Sequence, residues 1–137
     1  MGPSNISITA AVKTLKQSDS SAREDLLREA ALMALFEHRN LVSLIGVVTK
    51  PRNIPAMIVL EYCEHGTLLD HVKNNDPIDV DTSMLLTYCH DVASGMHYIS
   101  SRRIVHRDIA ARNVSESYGC STPFASKIRS LHFDHIF

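Results

Sequence analysis

The sequence predicts an α+β fold, with a small sheet and one helix ahead of a helical region. The runs LVSLIGVV (41–48) and PAMIVLEY (55–62) are short, β-branched and almost entirely apolar, which is typical of buried strands. Residues 81–99, by contrast, repeat apolar side chains at helical spacing. The 137 residues are enough for one domain with its own core and too few for two, so a single domain is expected.

The first predicted strand is ISITAAVKTL at residues 6–15, which loosely alternates apolar and polar side chains and carries Lys13 near its end. A helix should follow, because Ser21 and Glu24 form a capping box and apolar residues then recur at helical spacing. Glu29 lies on or beside the inward stripe of that helix. The pattern therefore places an acidic side chain on a helix that faces a strand lysine.

The two apolar runs are bounded by turn-forming sequence, namely Asn40, the segment KPRNIP and Gly66. We therefore predict one strand in each run, which gives three strands and one helix in the first part of the chain. After Gly66 the segment TLLDHVKNN suggests a short helix.

A longer helix is predicted to begin at Asp81 and to run through Ile99, with apolar residues on one face. Gly95 lies inside it at a cost of about 1 kcal/mol against alanine, which suggests that another backbone packs closely there. From Ser115 onward neither the helical nor the strand period persists, so residues 115–137 are expected to be irregular.

Composition and charge exclude several classes of function. The net charge of −1 and the pI near 6.7 leave no basic surplus, so neither nucleic acid nor an anionic membrane is an expected partner. Cys63, Cys89 and Cys120 lie far apart and form no C-x-x-C pair, which argues against a disulfide framework and a thiolate zinc site. These cysteines fit a reducing compartment, and we predict a cytoplasmic location.

No segment of the sequence is expected to enter a membrane. Its most apolar runs are much shorter than the roughly 20 residues that a spanning helix needs, and its first residues lack the apolar core of a signal peptide. The chain could still belong to a membrane receptor.

The strongest functional signal is HRDIAARN at residues 106–113. It has the form H-R-D-x-x-x-x-N of the protein kinase catalytic loop, and its middle residues, which end in Arg112, make it resemble the tyrosine kinase version. In this resemblance Asp108 accepts or orients the proton of the substrate hydroxyl, and Asn113 holds a Mg²⁺ ion on the ATP phosphates. The resemblance therefore implies that Asp108, Arg112 and Asn113 are catalytic residues and that ATP and magnesium are the cofactors.

Two upstream segments resemble the first lobe of a protein kinase. AAVKTLK is similar to the strand that carries the ATP-contacting lysine, and LLREAALM is similar to the helix that follows it. The resemblance implies that Lys13 reaches the α- and β-phosphates and pairs with Glu29, and that Ala11 belongs to the nucleotide site. Taken alone, Lys13 and Glu29 would be an ordinary strand lysine and a surface acid, and their order and spacing support the assignment.

The segment IVLEYCEHGTLLDHV resembles the hinge between the two kinase lobes and the helix after it. By this resemblance Leu60 is the gatekeeper, and the backbone of Glu61 and Cys63 hydrogen-bonds adenine. Cys63 is interpreted as a small apolar residue and not as a nucleophile, because no base or helix N-terminus is evident near it.

The resemblance also implies structural roles. His106 and Arg107 belong to the H-R-D motif, and the histidine is expected to pack and to hydrogen-bond without transferring protons. Met33, Leu44 and His106 are expected to supply three members of the apolar stack that joins the two lobes in active kinases. The fourth member, the phenylalanine of a D-F-G motif, has no counterpart in the sequence.

The resemblance runs from about Ala10 to Asn113. It implies that residues 1–114 form a truncated kinase-like fold, with a partial N-lobe, the hinge and the start of a helical C-lobe that carries the catalytic loop, and that residues 115–137 are a divergent tail. Ser115 stands where family members usually have the leucine that forms the floor under adenine. Neither a G-x-G-x-x-G loop nor a D-F-G motif occurs in the 137 residues, so we expect this chain alone to be impaired in phosphoryl transfer.

The partner that the resemblance implies is a protein substrate with a tyrosine hydroxyl. The alternative is a pseudokinase-like interaction module without phosphotransfer. This alternative follows from the helix over 81–99, which has apolar positions whose usual lower-lobe neighbours are not in this chain. Its exposed face would then bind other proteins.

Overall fold

The structure is a computed structural model that describes residues 7–14, 20–51, 54–75, 80–117, 125–129 and 134–135. Its elements in chain order are strand β1 (Ala10–Thr14), helix α1 (Ser20–Met33), β2 (Leu44–Val48), β3 (Met57–Glu61), α2 (Leu68–Asn74), α3 (Thr82–Ser101), β4 (Ile104–Val105), a 3₁₀ helix (Ala111–Asn113), β5 (Val114–Ser117), β6 (Ala125–Ile128) and β7 (Asp134–His135). The strands pair in three groups, which are β1 with β3 and β2, β4 with β7, and β5 with β6. The predicted α+β fold class is confirmed.

The three-stranded sheet has β3 at its centre, with β1 and β2 antiparallel to it on either side. The predicted three strands and one helix are thus confirmed. The first strand covers Ala10–Thr14, so the predicted range 6–15 begins too early: residues 7–9 are not in a strand, and Ile6 and Leu15 lie outside the described residues. The prediction that Ser21 caps the first helix is wrong, because α1 begins one residue earlier and Ser21 lies inside its first turn.

Both helices predicted after Gly66 are confirmed as α2 and α3. Thr67 caps α2 through its hydroxyl, which accepts a hydrogen bond from the Asp70 N–H at 3.1 Å. Asp81 is the N-cap of α3, which extends to Ser101. None of the helices in the described ranges is long and apolar enough to cross a bilayer.

One apolar core joins the sheet to α1 and α3. It is built from side chains that are at most 7% exposed, namely Leu26, Ala30, Met33, Leu41, Val42, Ala56, Ile58, Leu60, Ile99, Ile104 and Ile128. The last of these belongs to β6. The segment after residue 113 therefore contributes to the same core as the first strands.

The expectation that residues 115–137 are irregular is wrong for the described part of that segment. β5 and β6 form an antiparallel pair with Val114 opposite Ile128, and β7 pairs with β4. Hydrophobic alternation could not reveal these strands, because some of their buried positions are polar. Glu116 and Ser126 face each other across the pair, and each is at most 2% exposed.

The buried polar groups of β6 are satisfied by residues from distant elements. The Asp91 carboxylate accepts a hydrogen bond from the Ser126 N–H at 3.0 Å, and Asn40 Nδ2 donates to the Ser126 carbonyl at 3.0 Å. These partners lie 35 and 86 residues away along the chain. Local sequence patterns cannot predict such long-range contacts. They nevertheless provide the hydrogen bonds that a buried strand requires.

Gly95 lies where α3 meets the rest of the fold. A Cβ atom on it would lie 2.9 Å from Ile128 Cδ1 and 3.0 Å from the Asn40 carbonyl oxygen. The prediction that another backbone packs closely against this glycine is therefore confirmed. The absent side chain lets the loop before β2 and the strand β6 approach α3.

Candidate functional site

Lys13 on β1 and Glu29 on α1 form an ion pair, with Nζ 2.5 Å from Oε2. Leu26 and Ala30 of the same helix are buried in the core, which brings the neighbouring Glu29 toward the sheet. The Glu29 side chain is 11% exposed, and that of Lys13 is 33% exposed. The structure thus brings together the two residues that the sequence order linked.

Asp108 is held by the two polar residues that end its loop. Arg112 Nη2 donates to Asp108 Oδ1 at 2.6 Å, and Asn113 Nδ2 donates to Asp108 Oδ2 at 2.8 Å. The same Asn113 nitrogen also donates to the Asp108 backbone carbonyl at 2.8 Å. Asn113 is buried, whereas the Asp108 side chain is 35% exposed. The carboxylate is therefore fixed in direction and still accessible.

His106 holds this loop against the interior of the protein. The residue is fully buried, and its Nε2 lies 3.0 Å from the Arg129 carbonyl oxygen. Its own carbonyl oxygen accepts a hydrogen bond from the Asp108 N–H at 2.8 Å. Between them Arg107 adopts a φ of 60°, in the left-handed region that non-glycine residues rarely occupy. The turn presents Asp108 outward while the histidine stays packed, which agrees with a structural role for His106.

Glu61, in the predicted hinge, makes polar contacts with two other segments of the chain. Its carboxylate is bonded by Lys127 Nζ from β6, and it accepts a hydrogen bond from the Ser43 N–H at 3.2 Å. Burial raises the pKa of Glu61, but the hydrogen bonds from Lys127 and Ser43 and the charge of Lys127 outweigh it and lower the pKa. This contact, the Lys127–Glu61 clamp, joins the predicted hinge to β6.

Cys63 lies half-buried beside this clamp. Burial raises the pKa of the Cys63 thiol and the Glu61 carboxylate adds to the rise, against smaller opposing effects of Lys127, Arg129 and Ser115. The thiol is therefore protonated near neutral pH and is a poor nucleophile. This agrees with the interpretation of Cys63 as a small apolar residue.

Three of the remaining predicted residues share one row across the sheet, and the fourth, Met33, lies on α1. Ala11 on β1 and Leu44 on β2 are both register partners of Leu60 on β3. Met33 and Leu60 are buried in the core, and Ala11 and Leu44 pack against it. These three residues and Met33 therefore belong to the apolar core between the sheet and α1. What these residues do toward a nucleotide stays a prediction.

Two basic residues of β6 and its exit were missed by the sequence analysis. Lys127 bonds Glu61, and the Arg129 N–H donates to the Asn113 carbonyl at 2.8 Å. The alternation of Ser126 and Ile128 with these two basic residues is the one local signal that could have indicated a strand here. Four residues of alternation are too few to distinguish a strand from chance.

Oxygen donors that could face a magnesium ion are few around residues 106–113 in the part of the chain that the structure describes. Within that part, no group of three or more His, Cys, Asp or Glu side chains could hold a metal ion. Asn113 offers one amide oxygen, and both carboxylate oxygens of Asp108 already accept hydrogen bonds. Protein-bound Mg²⁺ is usually held by one or two carboxylates together with waters and substrate phosphates. The Asn113 amide oxygen and the Asp108 carboxylate are the donors that residues 106–113 offer to such an ion, and their role toward magnesium stays a prediction.

Comparisons with known proteins agree with the geometry. The sequence profile described as protein tyrosine and serine/threonine kinase matches residues 2–116. Tyrosine-protein kinase Abl of Drosophila melanogaster is 48% identical over 105 residues, which are 77% of this chain and 6% of that protein. Ephrin type-B receptor 1-A of Xenopus laevis and Ephrin type-A receptor 3 of Danio rerio are each 42% identical over 113 residues, which are 82% of this chain and 11% of each relative. The chain thus spans a small part of the length of these relatives.

Proposed function

The chain belongs to the protein tyrosine and serine/threonine kinase family, and we propose that this part of a tyrosine kinase domain binds ATP but is impaired in phosphoryl transfer on its own. The observation that carries the proposal is the ion pair between Lys13 and Glu29. Kinases of this family use ATP and Mg²⁺, and a strand lysine paired with a helix glutamate contacts the α- and β-phosphates. A partly buried lysine fixed in this way is a ready phosphate ligand.

The proposal gives each site residue a role in binding or orientation. The backbone of Glu61 and Cys63 would bind adenine beside the gatekeeper Leu60. Asp108 would accept or orient the proton of the tyrosine hydroxyl, and Arg112 would hold its carboxylate in place. This last role is supported by the 2.6 Å contact between Arg112 Nη2 and Asp108 Oδ1.

The impairment is proposed because no D-F-G motif follows the catalytic loop in the 137 residues. Phosphoryl transfer rests on positioning and on neutralising the charge of the transferring group, and an aspartate after the catalytic loop normally holds Mg²⁺ for this purpose. Residues 117–133 contain neither Asp nor Glu. Asp134 follows them in β7, where its backbone pairs with Val105.

Nucleotide binding is tested by the effect of ATP on the melting temperature of the 137-residue chain. A ligand that binds only the folded state raises the melting temperature, and we expect ATP to do so. Lys13→Met should abolish the shift, whereas Lys73→Met, which removes an exposed lysine of α2, should leave it intact. An absent shift in the wild type, or an equal shift in Lys13→Met, would contradict the proposed site.

Phosphoryl transfer is tested with a tyrosine-containing peptide, ATP and Mg²⁺. The wild-type chain should transfer no more phosphate than Asp108→Asn, which removes the proposed base. Transfer by the wild type that Asp108→Asn abolishes would show that the chain is an active kinase, and it would refute the impairment while leaving the ATP site in place.

A second candidate function is a protein-interaction module, and the exposed side chains of α2 and α3 favour it. Leu86 is 64% exposed, Val72 is 46% exposed and Leu85 is 38% exposed. Apolar side chains of this size on two neighbouring helices suit a partner with its own apolar surface. The partner and the location are part of the proposal. An intracellular, cytoplasmic setting is supported by Cys63 and Cys89, which are free thiols among the described residues.

The interaction surface is tested by sedimentation of the purified chain. We expect the wild type to associate and Leu86→Glu to be monomeric. Leu35→Glu is the control, because Leu35 is equally exposed at 63% but lies after α1, and it should not change the association. A wild type that is a monodisperse monomer with a cooperative melt would count against this function.

A further inference from the structure

A polar cluster lies where α2, α3 and β5 meet. Glu116 on β5 is 2% exposed, Tyr88 on α3 is 1% exposed, and His71 lies on α2 with its side chain 20% exposed. His71 Nδ1 is 3.3 Å from Glu116 Oε2, and the rings of His71 and Tyr88 meet edge to face with their centroids 6.1 Å apart. Three elements thus each contribute one polar side chain to the same part of the interior.

This cluster contains polar atoms that have no partner. Four buried side-chain atoms in the described residues make no hydrogen bond, and three of them belong here, namely His71 Nε2, the Tyr88 hydroxyl and Glu116 Oε1. Burial, the charge of Glu116 and a weak contact with its carboxylate raise the pKa of Tyr88, which places the hydroxyl beside that carboxylate. Buried polar atoms are normally satisfied by protein, water or a bound ion, so the chain alone leaves the cluster incomplete.

The charge of Glu116 indicates what kind of group would complete the cluster. A buried carboxylate is normally paired with a cation or bound to a metal ion, and among the described residues no lysine or arginine forms a salt bridge with Glu116. A protonated His71 would balance the charge, but it would leave Glu116 Oε1 and the Tyr88 hydroxyl without partners. A metal ion balances the charge and takes both oxygens as ligands.

The separation of the His71 nitrogen and the Glu116 oxygen suits two metal ligands better than a hydrogen bond. Their distance of 3.3 Å exceeds the roughly 2.7–3.2 Å of an N–H···O hydrogen bond. Two ligands bound tetrahedrally at about 2.0–2.1 Å from Zn²⁺ lie about 3.3 Å apart. Imidazole and carboxylate together are a common zinc donor set, whereas Mg²⁺ and Ca²⁺ prefer oxygen ligands alone. The partly exposed His71 side chain leaves the ion a way in from solvent.

We propose that His71, Glu116 and Tyr88 form a zinc site that ties α2 to α3 and β5. His71 supplies an imidazole nitrogen, Glu116 its carboxylate and Tyr88 the phenol oxygen, and a water completes the tetrahedron. One histidine and one carboxylate fall short of the groups of three or more His, Cys, Asp or Glu that the described residues lack, so the phenol oxygen is essential to the set. None of the three residues belongs to the proposed ATP site, and the inference does not depend on the proposed function.

The test is calorimetric titration of the metal-free 137-residue chain with ZnCl₂. We expect one Zn²⁺ to bind per chain, and an excess of MgCl₂ should not compete with it. Tyr88→Phe should weaken this binding about tenfold, because it removes one of three donors, and Glu116→Gln should abolish it. Zn²⁺ should also raise the melting temperature of the wild type, since it binds only the folded state, and should not raise that of Glu116→Gln.

His90→Gln is the matched control, because His90 Nδ1 also lies near a carboxylate, 3.7 Å from Asp91 Oδ1, but its side chain is 82% exposed and Asp91 already bonds Ser126. It should bind Zn²⁺ like the wild type. Tyr88→Phe keeps the test valid if Glu116→Gln does not fold, since without zinc it should be as stable as the wild type. A wild type that binds no Zn²⁺, a Tyr88→Phe chain that binds it equally well, or a His90→Gln chain that loses it would overturn the inference and leave the proposed function standing.

Discussion

Lys13 and Glu29 form a partly buried ion pair that joins β1 to α1 across 16 residues of sequence. The second carboxylate oxygen of Glu29, Oε1, is buried and makes no hydrogen bond within the described residues. Glu29 therefore depends on Lys13 more than the reverse, since Lys13 keeps a third of its side chain in water. The ion pair therefore stabilises the fold, and its lysine is also part of the proposed phosphate site.

This asymmetry predicts unequal losses of stability. Lys13→Met should lower the free energy of unfolding by about 2 kcal/mol, because it leaves a buried carboxylate without its partner. Glu29→Gln should cost about 1 kcal/mol or less, since the lysine can turn to solvent. Urea denaturation of both variants measures the difference. The exposed Arg28–Asp25 pair is the control, and Asp25→Asn should change stability by less than about 0.5 kcal/mol. Equal losses for Lys13→Met and Glu29→Gln would contradict the asymmetry.

The sequence predicted the elements whose hydrophobic pattern is long or whose motif is explicit. α3 has a long apolar stripe, and the strands β2 and β3 are continuous apolar runs, so local propensity and burial agree. The pairing of Lys13 with Glu29 could also be predicted from the sequence, because the order and spacing of two motifs identified both residues. These features need no knowledge of distant contacts.

The pairing of β5 and β6 could not be predicted in the same way. Its buried face includes Glu116 and Ser126, and the partners that satisfy Ser126 are Asn40 and Asp91 from other elements. The clamp of Lys127 on Glu61 likewise joins residues 66 positions apart. Tertiary hydrogen bonds, and not apolar alternation, make these positions suitable for a strand. The charges that face the hinge were missed for the same reason.

Gly95 provides a test of how closely α3 packs. Gly95→Ala should lower the free energy of unfolding by about 1–2 kcal/mol, although alanine favours a helix by about 1 kcal/mol, because the new methyl would overpack Ile128 and the Asn40 carbonyl. Thermal and urea unfolding measure the change. Gly46→Ala is the control, since nothing lies within 4 Å of its Cβ position; it should be neutral or slightly stabilising.

Removing the methyl that Gly95→Ala meets should restore part of the loss. Ile128→Val deletes the Cδ1 atom that lies 2.9 Å from the new Cβ. The double variant should therefore be more stable than the sum of the two single changes predicts. If the losses of the two single variants simply add in the double variant, the new methyl of Gly95→Ala does not clash with Ile128 Cδ1.

The clamp between Lys127 and Glu61 predicts a pH dependence. Burial alone would raise the pKa of Glu61, but the bonds and charge of Lys127 and the Ser43 N–H lower it below the ordinary value of 4.5. The unfolded state then binds the proton more readily, so the stabilisation is complete above about pH 4.5 and disappears as the pH falls through the lower folded-state pKa. Lys127→Met should be less stable than the wild type near neutral pH, and the gap should close in acid.

Urea titrations from about pH 7 to about pH 3 compare the two chains across this window. Lys73→Met, which removes an exposed lysine, should follow the wild-type curve. A gap between Lys127→Met and the wild type that stays constant in acid would show that Lys127 stabilises the fold through packing and not through the Glu61 charge.

Tyr88 illustrates the opposite case, a polar atom whose removal should cost nothing. The residue is 1% exposed, and its hydroxyl makes no hydrogen bond within the described residues. Burial raises the pKa of Tyr88, and the negative charge of Glu116 and a weak hydrogen-bonding contact with its carboxylate, outside ordinary hydrogen-bond geometry, add to the rise, so the phenol stays neutral. Tyr88→Phe should therefore leave the free energy of unfolding unchanged or raise it by up to about 1 kcal/mol.

Tyr98 supplies the matched control for that substitution. Its hydroxyl accepts a hydrogen bond from the Glu37 N–H at 2.8 Å, so Tyr98→Phe should lower the free energy of unfolding by about 1 kcal/mol. Urea unfolding of the two phenylalanine variants at neutral pH makes the comparison. A loss in Tyr88→Phe as large as that in Tyr98→Phe would mean that the Tyr88 hydroxyl donates to Glu116, and the buried carboxylate would then have a partner besides His71, which lies 3.3 Å from it.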